Sequence, residues 1–514
     1  MSEAQTPVAR RLLVGAVTNW LAFAATLLVG FFLTPYMVRK LGDGPYGVWA
    51  FVESVLAYFT LFDLGIAACV VRFVARFHTT GDRDELNRLV STCLALFVGL
   101  GLLMFATGGS VLPLLLSSLQ SAGVPADEVV AFALLMVGNL AITLPLSLFP
   151  SILDGLERFA LKSAVRIGVL SLRTFGTILL LQQRPSLLML GILLTACNLL
   201  EHALFAGLAL RALPGLQLRR RFVDRATLNR VKGYSLSAFL AMIAGRVCVQ
   251  SGVLIVGAFF GAAPVTYFAI ASRLVEFAKA LLRSATNTLT PAISSREAAG
   301  DVDAIRRMFL RGTRWVLYLI LPVQMGLIVF GRPFLTIWLG DPAYAENCYP
   351  ALVALSSTLA LVVAQSIASR VLYGMGRLRV FARMTMVEAA VNVGLGGVLA
   401  PRFGLVGVAI GVAIPNLLMC VWVIQYTARA LEVPRRQYIT EAWFRPAIAA
   451  TVPLAVWLCA DMTPSGWVSL MSAIALGLVP YAMTVFVMEG RRPRFCFGLR
   501  PRGVAGSTHA VPRD

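Results

Sequence analysis

Four ionisable residues, Arg273, Glu276, Lys279 and Arg283, follow one another at steps of three, three and four, with Asn287 and Pro291 at further steps of four. Side chains three and four apart share one face of a helix, so the set forms a single stripe. It lies in a long apolar run, 265–293, whose rise of about 1.5 Å per residue puts Lys279 near the middle. Charge at bilayer depth is costly unless it meets water or a partner, so the stripe is expected to face a polar interior. Its net positive character suits a diphosphate or acidic sugars. Arginine offers phosphate oxygens a planar donor fork, and lysine adds a compact charge. Arg246, midway along the preceding run, is expected across the same cleft. The competing expectation is structural: pairs such as Arg273–Glu276 and Glu276–Lys279, or ties to other helices, leaving Arg246 and Arg283 unmatched.

A second pair, Glu388 and Asn392, stands four apart in a later run. A carboxylate beside an amide oxygen suits a sodium ion or a transferable proton; the alternative is a hydrogen-bonded brace between helices. In the first half, Glu53, Asp63 and Arg173 are weaker candidates, and Asp63 has a competing use as a cap at Gly65. Arg370, at the end of a run, is expected to snorkel to the surface. No cofactor is expected, and no metal centre. The three histidines, His78, His202 and His509, lie far apart, and the eight cysteines form no CxxC pair. Nor does the chain read as an enzyme. A membrane polymerase or ligase needs catalytic groups on a large outer loop, whereas Asp127, Glu128, Asp341, Glu346 and Asp461 are scattered over short ones.

These residues need helices in lipid to hold them. Of 514 residues, 58% are hydrophobic and 14% charged, with mean hydropathy +0.79; a soluble chain carries about a quarter charged. Apolar runs near the roughly 20 residues that cross a bilayer recur at 12–37, 47–71, 90–116, 129–151, 164–181, 186–210, 234–260, 265–293, 314–339, 350–373, 381–399, 405–428, 446–460 and 466–488. The fold class is therefore an all-α polytopic membrane protein with about fourteen transmembrane helices. The net charge of +20 falls almost wholly on alternate loops. One side gathers Arg72, Arg76, Arg83, Arg88, Arg158, Lys162, the 211–232 segment, Arg296–Arg314, Arg377–Arg383, Arg429–Arg445 and the tail. The other side holds Arg39, Lys40, Arg184, Arg332 and Arg402. By the positive-inside rule both termini are cytoplasmic, and the charge reports contact with anionic membrane lipids, with no nucleic-acid partner implied.

Shifting the chain by 219 residues aligns three separate loops without a gap: Gly42 and Pro45 on Gly261 and Pro264, Gly81-Asp82 on Gly300-Asp301, and Leu153, Gly155 and Arg158 on Leu372, Gly374 and Arg377. The repeat predicts two six-helix lobes, 1–210 and 234–428, related by a parallel repeat and joined by a basic linker, 211–233. Two extra helices, 446–488, and a basic tail, 489–514, follow. Two lobes about a cleft are the architecture of alternating-access carriers.

The residues Leu41-Gly42, Tyr46-Gly47 and Leu61-Phe62-Asp63-Leu64-Gly65 resemble the opening motifs of bacterial O-antigen and exopolysaccharide flippases. That family belongs to the multidrug/oligosaccharidyl-lipid/polysaccharide exporter superfamily. Val256–Gly261 and Tyr267–Leu274 continue the likeness, which runs over about residues 10–430. The resemblance implies a MATE-like flippase in the plasma membrane. Its cargo would be an undecaprenyl-pyrophosphate-linked oligosaccharide, with Na+ or H+ coupling, and its partners a polysaccharide polymerase and a chain-length regulator. The related flippases of lipid-linked peptidoglycan precursors usually carry a charged pair in helix 1, where this chain has Asn19 and Trp20. A drug antiporter on the same fold would favour an acidic cavity; the stripe here is basic.

Overall fold

The computed structural model describes residues 6–116, 119, 123–219, 222–224, 236–286, 289–460 and 464–490. Among them there are helices and short connections and no strand. Twelve segments are long and apolar enough to cross a bilayer. One of these, Val380–Ala430, contains two crossings that turn at Gly404 (φ 60°). Ala262–Thr286 is a further crossing whose four ionisable side chains keep it out of that count. With both included there are fourteen.

Span 1 is Thr6–Leu41, and span 2 is Asp43–Phe59 continued by Ile66–Thr80. Spans 3 to 6 are Arg83–Leu116, Ala126–Leu146 with Leu148–Gly155, Phe159–Gln183 and Leu187–Ala212. Span 7 is Leu236–Phe260, span 8 Ala262–Thr286 and span 9 Val302–Val329; a short helix, Gly331–Leu339, follows span 9. Span 10 joins Pro342–Ser356 to Leu359–Gly374, spans 11 and 12 are the two limbs of Leu378–Ala430, and spans 13 and 14 are Arg435–Cys459 and Trp467–Glu489.

Two expectations need correction. Span 2 is broken, because a 3-10 turn at Thr60–Asp63 leads into left-handed Leu64 (φ 50°) and Gly65 (φ 77°). Asp63 caps the restart, its Oδ1 accepting the Ala67 N–H at 3.2 Å, so the Leu-x-Asp-Leu-Gly motif encodes a helix break. Span 8 starts at Ala262 and ends at Thr286, with a separate helix, Leu289–Ala298, beyond. Its middle therefore falls at Arg273, and Lys279 lies about 9 Å nearer the basic end.

The repeat is visible in the backbone. Gly42 and Gly261 turn at φ 83° and 82°, and Gly81 and Gly300 at 73° and 69°, a region that a side chain disfavours. Asp82 Oδ1 caps span 3 through Glu85 N at 3.1 Å, and Asp301 Oδ1 caps span 9 through Ala304 N at 2.9 Å. Arg158 N donates to Leu153 O and Arg377 N to Leu372 O, both at 2.9 Å. Beside those turns, a Cβ on Gly155 would meet Val74 Cβ at 2.9 Å and one on Gly374 would meet Ile293 Cβ at 2.9 Å. Val74 and Ile293 are themselves 219 apart.

Spans 1–6 pack mainly on one another, as do spans 7–12. The two halves meet where the first part of span 2 lies against spans 7 and 8. Spans 13 and 14 dock on span 9 around Glu489, which receives Arg314 at 3.4 Å, Arg445 at 3.5 Å and the Tyr318 hydroxyl at 3.1 Å. The linker leaves span 6 along span 3, where Asn87 Oδ1 accepts Gln217 N (2.9 Å) and Ser91 Oγ donates to Gln217 O (3.2 Å). Residues 220, 221 and 225–235 of the linker and 491–514 of the tail lie outside the described residues.

Candidate functional site

The interface between the halves is built from small residues at the arginine-poor side. A Cβ on Gly47 would sit 1.9 Å from the Ala262 carbonyl oxygen, so only glycine lets span 2 approach span 8 this closely. The Thr266 hydroxyl donates to the Asp43 carbonyl at 2.5 Å. Because 43 and 262, and 47 and 266, are repeat-related pairs, these contacts lie about a local pseudo-twofold axis. The Asp43 carboxylate adds an asymmetric clamp, accepting the Tyr267 hydroxyl at 2.6 Å and also the Tyr344 hydroxyl of span 10. Span 1 is held about 15 Å deeper, ten residues in from its outer end. Phe31 packs against Phe277, Phe334 and Trp338, and Trp338 Nε1 donates to Phe31 O at 3.1 Å.

About 10 Å deeper along span 8, Arg273 crosses the interface. Its guanidinium donates to Glu53 at 2.9 Å and to the Tyr46 hydroxyl at 3.2 Å, Tyr46 being only 1% exposed. Next along the stripe, Lys279 Nζ donates to Glu276 Oε1 at 3.1 Å. The side chains of Arg283 and Asn287 lie outside the described residues. The expected stripe is thus present through Lys279, with Arg273 spent on a tie between halves and Lys279 on a pair within its helix. Glu53 joins Arg273 directly. Arg246 does not: it is exposed on span 7, and Arg173 is partly buried on span 5, and neither has a hydrogen bond or ion pair among the described residues.

A polar nest occupies the interior of the second half. Glu388 on span 11 is 8% exposed and accepts the Asn416 amide of span 12 at 2.9 Å. One turn on, Asn392 is 1% exposed, and neither of its side-chain polar atoms has a hydrogen-bond partner among the described residues. The Cys420 thiol faces Gln365 Oε1 of span 10 at 3.5 Å, and Cys248 of span 7 faces the Thr385 carbonyl at 3.9 Å. Lys279 lies within electrostatic reach of Glu388. The arrangement can supply a carboxylate and several amide oxygens to one small cation, the donor chemistry that hard cations take. Asn416, Gln365 and Tyr344 were not legible as candidates, and Tyr46 and Tyr267 stood only as motif residues, because the use of a neutral polar side chain depends on partners far away in sequence.

Glu128, Asp341 and Arg370 have structural contacts, and Asp461 lies outside the described residues. Glu128 accepts Ser186 Oγ (2.7 Å) and Leu188 N (3.3 Å) at the start of span 6, and Asp341 caps span 10 through Ala343 N at 2.8 Å. Arg370 lies over the Tyr373 ring at 5.9 Å. Among the described residues no three His, Cys, Asp or Glu side chains converge as a metal group.

A family model described as lipid II flippase MurJ matches residues 63–487. An uncharacterized membrane protein, EpsK, of Bacillus subtilis (strain 168) is 22% identical over 410 residues, which span 78% of this chain and 79% of that protein. A solved structure of the lipid II flippase MurJ, in an inward closed conformation, is similar with TM-score 0.71 at 14% identity, over 93% of this chain and 99% of that one. An inward-facing multidrug resistance MATE family transporter of the MOP superfamily is similar with TM-score 0.68 at 15% identity, over 81% of this chain and 98% of that one. At these identities the solved structures speak to the fold. The family match spans most of the sequence, and the chain accordingly belongs to the MurJ lipid II flippase family, membrane transporters of lipid-linked substrates.

Proposed function

We propose that this protein flips an undecaprenyl-pyrophosphate-linked oligosaccharide from the cytoplasmic to the outer leaflet of the plasma membrane, by alternating access, for surface-polysaccharide synthesis. The observation that carries the reading is a net basic stripe, Arg273–Glu276–Lys279, midway along the helix at the interface of two repeated halves, in a family that moves lipid-linked cargo. With the arginine-rich side in the cytoplasm, the Asp43 clamp closes the outer end. Lys279 and Arg283 then meet the diphosphate first, with Arg246 and Arg173 contributing from spans 7 and 5. Glu388 and Asn392, joined by Asn416, take the coupling Na+ or H+. A polymerase and a chain-length regulator would accept the product.

A second reading, a lipid-linked peptidoglycan precursor as cargo, is favoured by the description of the family itself. Against it stand Asn19 and Trp20, uncharged in the middle of span 1. Deletion of the gene is expected to remove a surface polysaccharide while peptidoglycan synthesis continues. Normal surface polysaccharide in the deletion strain overturns the proposal, and rescue of a strain depleted of its own peptidoglycan-precursor flippase moves the cargo to the second reading.

A further inference from the structure

Arg273 belongs to two structures at once. It is the outermost member of the basic stripe, and it is also a charged tie between the halves, through Glu53 at 2.9 Å and Tyr46 at 3.2 Å. Its partner is accessible: the Glu53 side chain is 57% exposed and the Arg273 side chain 33%. A carboxylate so exposed at mid-helix in lipid is costly, so Glu53 faces the wet cleft. The layer farther out differs in kind. Asp43 is held by the neutral hydroxyls of Tyr267 and Tyr344, a clamp that has no paired cation among the described residues.

A diphosphate entering from the basic end meets Lys279, already neutralised by Glu276 at 3.1 Å, and then Arg273, about 9 Å farther along the helix. At Arg273 it competes with a single carboxylate oxygen. A diphosphate carries more charge than Glu53 and can engage the guanidinium fork with two oxygens.

We propose that Glu53 is a resident stand-in for the cargo's diphosphate at Arg273, and that exchange of one anion for the other releases span 2 from span 8, so that outward opening requires an anionic headgroup. This rests on the reading of the cleft as a diphosphate path. An empty protein stays shut because opening would strand Arg273 without a counter-charge at bilayer depth, and the cargo supplies that charge.

The test uses the full chain in lipid nanodiscs, with spin labels on genetically encoded azido residues at positions 184 and 346, one on each half at the outer side. The expected wild-type distance distribution is short. Geranylgeranyl diphosphate adds a long-distance population, and geranylgeraniol, the same tail without phosphate, does not. Glu53→Gln is expected to raise the ligand-free open population about tenfold, the low end of what a charge pair across an interface contributes, and to weaken the response to diphosphate. The swapped pair, Glu53→Arg with Arg273→Glu, is expected to restore closure and lose the response, which separates the exchange from a folding defect. A Glu53→Gln protein as closed and as diphosphate-dependent as wild type overturns the proposal, as does a wild-type distribution that diphosphate leaves unchanged. If diphosphate opens the protein while deletion of the gene leaves surface polysaccharide intact, the exchange stands and the cargo assignment falls.

Discussion

The two halves of the molecule share their turns and differ in their charges. Gly42 matches Gly261, Gly81 matches Gly300, and the Asp82 and Asp301 caps superimpose in kind. Yet the positions 219 residues before Arg273, Glu276 and Lys279 are Ser54, Ala57 and Thr60, and those before Glu388 and Asn392 are Val169 and Arg173. Glu53 and Asp43, the carboxylates that reach across, face Ser272 and Ala262 as their counterparts. A duplicated scaffold keeps what the backbone demands, since a left-handed turn or a close helix crossing admits few residues. Ionisable side chains facing a wet cleft are under no such constraint and can specialise in one half.

The contrast can be broken by substitution. Replacing Arg273, Lys279 and Arg283 together by Ala, at normal expression, is expected to abolish polysaccharide export, while Ser54→Ala with Thr60→Ala changes it less than about twofold, because both hydroxyls are neutral and donate only to carbonyls of their own helix, Ala50 and Ala57. Export assayed in a deletion strain decides this, and equal loss from both sets would remove the asymmetry. Next in size, Gly155→Val and Gly374→Val should each destabilise by roughly 1–3 kcal/mol through overpacking against Val74 and Ile293. Thermal unfolding in detergent should lower the midpoint for both, and a loss in one alone would show that the repeat is not equally supported.

A third test addresses the nest. Glu388→Gln is expected to abolish dependence of export on a Na+ or H+ gradient while preserving expression, and Val169→Ala, at the counterpart position, to leave that dependence unchanged. Gradient dissipation with ionophores provides the readout. The smallest effects belong to the caps: Asp82→Ala and Asp301→Ala should each cost about 1 kcal/mol, and similar shifts in unfolding midpoint would extend the equivalence of the halves to their energetics.

Much of the scaffold was readable in advance because it depends on composition and local turn chemistry. Apolar runs located the spans, and the 219-residue offset located three paired turns, two of which have positive φ at the aligned glycines, Gly42 with Gly261 and Gly81 with Gly300. The break in span 2 was legible only as a cap at Gly65 offered by Asp63, because the run 47–71 stays apolar straight through it, and the left-handed Leu64 is seen only in the fold. The middle of span 8 shifted from Lys279 to Arg273 for a related reason: the apolar run outlasts the helix, which ends at Thr286.

For the site, sequence alone determined which side chains are ionisable within apolar helices, and therefore which must find water or a partner. That follows from the cost of charge in lipid and needs no coordinates. Tertiary structure decided who the partners are. Glu53 and Arg273 lie 220 residues apart, Asp43 and Tyr344 301 apart, and Glu388 meets Asn416 across the bend at Gly404. Helical periodicity places a side chain on a face, but the face opposite is set by how whole helices pack, and that is a property of the assembled fold.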